Sequence, residues 1–203
     1  MHSLRMVPAA CLLSTIVLLS CGAHAPAQTR QPLQDVEFTK IDCADAHLLP
    51  PAGLKANCFQ GGFEKAQGNY DCKLNNVSIG SPADGSEPHF YARARYPRVG
   101  SQNCVTMGFP NAAEALQHFH RFLAQTVNWS DLETPRRDIQ LRFFDAKAQA
   151  RDGRCFSFIK NGPNSMRGHG YQFTMFGFFC KPPGQPIDAA AAIAAIDALQ
   201  LKP

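Results

Sequence analysis

Tryptophan occurs once in this 203-residue chain, at position 129, and a long apolar run also occurs only once, over residues 6–20. Every later apolar stretch is broken by charge, Gly or Pro within about ten residues, far short of the about 20 that a membrane span requires. Cysteines at C-x-x-C or C-x-C spacing are missing, which argues against a zinc site, because zinc ligands usually come in close pairs. No G-x-S-x-G and no H-E-x-x-H is present, so the common signatures of a serine hydrolase and a metalloprotease are lacking. Strong charge of one sign is lacking as well. Once Arg5 leaves with the N-terminal segment, 19 of the 20 basic residues stand against 16 acidic ones, too mild a balance for a nucleic-acid binder. No cofactor, metal or nucleic-acid partner is expected.

What the chain does have begins at its N-terminus. Residues 1–5 carry Arg5, and residues 6–20 follow without a charge. A charged start followed by an apolar stretch too short to span comfortably is the pattern of an export signal. Ala23-His24-Ala25 and Ala25-Pro26-Ala27 satisfy the small-x-small rule of ordinary signal cleavage. Leu18-Leu19-Ser20-Cys21 resembles the lipobox of bacterial lipoproteins. That resemblance implies cleavage before Cys21, a diacylglyceryl group on its thiol and, with Gly22 rather than aspartate next, residence in the outer membrane facing the periplasm. A soluble periplasmic or secreted protein is the alternative that ordinary cleavage would leave. Residues 1–20 thus read as signal peptide and 21–34, rich in Pro, Ala and Gln, as a flexible tether.

Eight cysteines are present, of which Cys11 leaves with the signal and Cys21 would carry lipid. Cys43, Cys58, Cys72, Cys104, Cys155 and Cys180 remain, an even set in an exported chain, and disulfides follow. Cys155 begins one expected strand and Cys180 ends its hairpin partner, so these two are expected to pair. The other four allow three pairings, of which Cys43–Cys58 with Cys72–Cys104 closes the shortest loops.

Residues 35–203 suffice for one domain burying about 70% of its unfolded surface. Residues 89–97 alternate Phe90, Ala92, Ala94 and Tyr96 against Tyr91, Arg93 and Arg95, which predicts a half-buried strand. Asn111 and Glu114 form a capping box ahead of Leu116, Phe119, Phe122, Leu123 and Val127, which predicts a helix over 111–127. Strands are predicted over 137–149, with a bulge where parity changes at Phe143-Phe144, and over 154–160 and 171–180. Asp188 caps a second helix over 189–200. The C-terminal order is β-α-β-β-β-α. The expected class is α+β: an antiparallel sheet, braced by disulfides, with helices packed on one face. Residues 35–88 are less regular, with strands suggested near 35–42 and 72–80.

Candidate chemistry is sparse. His118 and His120 lie two apart on the predicted helix, roughly 200° around it, and cannot share a ligand there. Asp42, Asp45, Asp131 and Glu133 are scattered acids without a motif. Arg93 and Arg95, joined by Arg98 and Arg142, would make a basic outer sheet face for an anionic partner. The connection 161–170 is long for a hairpin and holds Met166, Arg167 and His169 between glycines, as functional loops on rigid scaffolds do. The expected function is a non-catalytic cell-envelope lipoprotein, tied to the membrane through Cys21 and binding a macromolecular protein partner, in the manner of an inhibitor or immunity protein. The alternative is an envelope enzyme or small-ligand carrier whose site is assembled from residues far apart in sequence.

Overall fold

A computed structural model describes residues 36–65, 73–82, 89–97, 125–147, 153–164, 170–182 and 184–202. The signal, the lipobox with Cys21 and the tether lie outside the described residues, as do Cys72, Cys104 and most of the helix predicted over 111–127. Leu33–Pro203 form one compact unit.

The fold is mostly β, which corrects the α+β expectation. Its strands are β1 (Phe38–Ile41), β2 (Leu48–Leu49), β3 (Asn57–Lys65), β4 (Lys73–Gly80), β5 (His89–Pro97) and β6 (Gln125–Val127). After them come β7 (Glu133–Arg136), β8 (Ile139–Lys147), β9 (Gly153–Asn161), β10 (Thr174–Lys181) and β11 (Gln200–Leu201). A nine-stranded antiparallel sheet runs β1-β3-β4-β5-β10-β9-β8-β6, with β7 also on β8, while β2 and β11 form a separate pair. Among the described residues there is one α-helix, α1 (Ala189–Asp197). Gln125–Val127, the end of the first predicted helix, is strand instead and pairs with Asp145–Lys147.

The reason is that both faces of the sheet are buried. One face carries Val77, Ile79, Phe90, Phe143, Phe156, Phe158 and Phe179, and α1 closes over it through Ala192 and Ile196. The opposite face carries Tyr91, Phe144, Ile159, Phe176 and Phe178, with Trp129 stacked on Phe144 at 4.6 Å between centroids. Successive residues such as Phe143 and Phe144 therefore enter different cores. Pairing of β8 with β9 is unbroken from Ile139↔Lys160 to Ala146↔Gly153, so the predicted bulge is not there. Each fully buried phenylalanine contributes about 1.5–3 kcal/mol, which makes the Phe-rich sheet the main source of stability.

The second predicted helix is present. Asp188 caps it, its Oδ1 accepting from the Ala191 amide at 2.7 Å. It stops at Asp197, earlier than expected, because Gln200 and Leu201 pair with Leu49 and Leu48. Cys155 and Cys180 sit directly opposite each other across β9 and β10 and are bonded. Cys43, in the 3-10 turn Cys43–Asp45, is bonded to Cys58 of β3. Thiol titration of the denatured, unreduced mature protein is expected to find no free cysteine. Two free thiols would show that Cys72 and Cys104 do not pair.

The sheet's last edge is irregular. β6, the link 128–132 and β7 run in turn along β8, and Ser130 bonds Phe143 through both its amide and its hydroxyl. Asn128 makes the turn with φ 54°, a left-handed conformation that Asn tolerates, and its amide donates to Asp145 at 2.7 Å. Interruption of this kind discourages edge-to-edge association of sheets.

Candidate functional site

The loop singled out between β9 and β10 stands on a rigid base. The sheet's pairing of β10 with β5 ends at Thr174↔Arg95, and that of β9 with β8 ends at Lys160↔Ile139. Beyond that row the β9–β10 hairpin continues as a two-stranded ribbon. The Gly162 amide donates to the Phe173 carbonyl and the Gln172 amide to the Pro163 carbonyl, both at 2.9 Å, and Asn164 bridges Tyr171. The Phe173 ring lies against Gly162, where a Cβ would come within 2.7 Å of its Cε1. An aromatic ring covering a cross-strand glycine stiffens a ribbon without lengthening it. Gly170 closes the described part with φ 91°. Pro163, Asn164 and Gln172 are exposed. Met166, Arg167 and His169 lie outside the described residues.

Arg93 is not on a solvent-facing surface. It is buried, and its Nε and Nη2 donate to Asn76 Oδ1 at 3.1 and 2.6 Å. Its guanidinium carbon lies 5.1 Å from the Phe38 ring centre and 5.9 Å from that of Phe176. Two aromatic faces and an amide oxygen replace much of the water that a guanidinium would otherwise hold. Arg95 shares that side of β5 and is half-buried. Arg142, also half-buried, donates from Nε to the Ser130 carbonyl at 2.9 Å and lies 5.2 Å over Trp129. Arg98 lies outside the described residues. The arginines predicted to form one open basic face thus serve in large part to pack the sheet's second side. Asn76 was not singled out from the sequence. No sequence signal set it apart, since β4 also carries Lys73, Asn75 and Ser78.

Of the acids singled out from the sequence, Asp42 is engaged structurally, and so are Asp138 and Asp197. Asp42 Oδ1 accepts from the Ala44 amide at 2.9 Å and so caps the short 3-10 turn. Asp197, at the end of α1, accepts from Arg136 Nη1 and Nη2 at 2.7 and 2.8 Å and from Lys160 Nζ at 2.8 Å. Arg136 also donates to both oxygens of Asp138, at 2.7 and 3.0 Å. These hydrogen bonds, those from Arg136 first, hold the Asp197 and Asp138 carboxyls below the ordinary carboxylate range. The same bonds, to Asp197 and Asp138, raise Arg136. Carboxylates held ionised in this way are clamps for α1 rather than proton donors near neutral pH. Burial raises the Tyr96 hydroxyl, and His47 stacks on Tyr96 while its Nδ1 meets the Lys202 carbonyl at 2.9 Å. His89 tilts against Phe178; His118, His120 and His169 lie outside the described residues.

This clamp has a pH signature. Folded-state pKa values below the unfolded value of about 4 mean that its stability is present above that value and is lost as pH falls through the folded pKa values. Because Asp197 and Asp138 are 41% and 36% exposed, each contributes at most about 1 kcal/mol. Asp197→Asn should lower the urea midpoint at pH 7 and at low salt. The difference from wild type should shrink as the pH falls below about 4 or as salt is raised.

Among the described residues no group of three His, Cys, Asp or Glu side chains is placed to hold a metal ion. No family model, no curated protein and no solved structure matches this chain.

Proposed function

We propose that this chain is a non-catalytic cell-envelope lipoprotein, anchored through a lipidated Cys21, that grips a macromolecular partner with its β9–β10 ribbon. The observation supporting the reading is the ribbon itself. A hairpin that outruns both neighbouring strands, keeps its pairing to Asn164–Tyr171 and is stiffened by Phe173 on Gly162 gives its tip a fixed base. Preorganised loops lose less entropy on binding, so affinity comes from fewer contacts. Met166, Arg167 and His169, which follow Asn164 in sequence, bring one unbranched apolar side chain and two nitrogen donors, suited to a protein surface. An inhibitor or immunity role is the class this arrangement fits.

The test uses the full chain in a bacterial host. Labelled fatty acid should enter the wild-type protein and not Cys21→Ala; equal labelling would place any anchor elsewhere. Separately, residues 164–171 are replaced by Asn-Gly, a two-residue turn that suits a hairpin. This variant should keep the wild-type melting temperature within a few degrees and capture its envelope partner at least about tenfold less well, a loss of roughly 1.4 kcal/mol. Undiminished capture would remove the ribbon from the interface.

A further inference from the structure

We draw no further inference here: the strongest candidate, the mixed polar and aromatic second face of the sheet around Arg93, Ser157 and Phe176, carries nothing because the described residues do not show what covers it.

Discussion

Gly177→Ala should cost the protein a large share of its stability, although it adds a single methyl group. Gly177 lies in the middle of β10, between β5 and β9, opposite Ala92 and Phe158. A Cβ built there would overlap the Tyr91 carbonyl oxygen and approach Ala92 Cα at 2.8 Å and the Tyr91 carbonyl carbon at 3.0 Å. All three are backbone atoms of the paired strand, so no side chain can swing aside. Relief requires β5 and β10 to part, which would break the ladder at the centre of the sheet. Overpacking usually costs 1–3 kcal/mol, and here about 3 kcal/mol or more is expected, a large share of a total stability of roughly 5–15 kcal/mol. Gly62→Ala is the control, since its nearest atom is Val36 Cγ1 at 4.0 Å, and it should stay within about 1 kcal/mol of wild type. Denaturant unfolding checks both. A Gly177→Ala protein as stable as the Gly62→Ala protein would mean that β5 and β10 do not approach this closely.

That glycine shows how much of the fold the sequence displays. Residues 171–180 read as a central strand because they are nearly continuous in apolar residues, and β10 is central. The Asp188 cap and the Cys155–Cys180 bond were equally legible, since each follows from local chemistry or from a single hairpin. Two errors came from one assumption, that a strand here buries only one face. Under that assumption Phe143-Phe144 implied a bulge and Arg93 implied solvent, whereas both faces have cores and neither inference holds. β3 was missed because Gly61-Gly62 resembles a turn. In fact a Cβ on Gly61 would meet the Phe38 and Val36 side chains at 2.9 Å, so the glycine leaves room for them over β3. β6 was hidden inside a helical pattern, although Thr126 and Val127 favour strands. β2 and β11 are two residues each, too short for any periodicity.

The candidate site divides along the same line. Loop length and glycine content pointed to residues 161–170 from the sequence. The stiffness of the ribbon did not show there, because Gly162 and Phe173 are eleven positions apart and meet only through hairpin register. Arg93 pointed the other way. Its charge suggested an anionic partner, but only the partner strand reveals Asn76 waiting beside it. A residue type announces its chemistry; burial decides what that chemistry is for.

The Arg93–Asn76 pair is where that decision has the largest measurable consequence. Asn76 is fully buried, and its Nδ2 also donates to the Leu74 carbonyl at 3.4 Å, so its amide is held in place for the guanidinium. Asn76→Leu removes the acceptor of two hydrogen bonds and leaves a buried cation less well solvated. Bonds to charged groups are worth about 1.5–3 kcal/mol, and the loss should be about 2–4 kcal/mol once desolvation is included. Arg93→Met should cost less, about 1–3 kcal/mol, because methionine can still lie between Phe38 and Phe176 and the Asn76 oxygen that loses its donor is neutral. The double variant Asn76→Leu/Arg93→Met replaces a paired polar core by apolar side chains of similar size, a change that is often nearly neutral. It should therefore be more stable than Asn76→Leu alone, with a coupling of about 1–3 kcal/mol by denaturant unfolding. Simple additivity of the two single changes would show that Asn76 does not hold the charge. Partner capture supplies a separate readout: Arg93→Met at a temperature where it remains folded should bind as wild type does. A weakened grip there would return Arg93 to the interface, and full capture leaves its charge as an internal brace against the Phe38 ring.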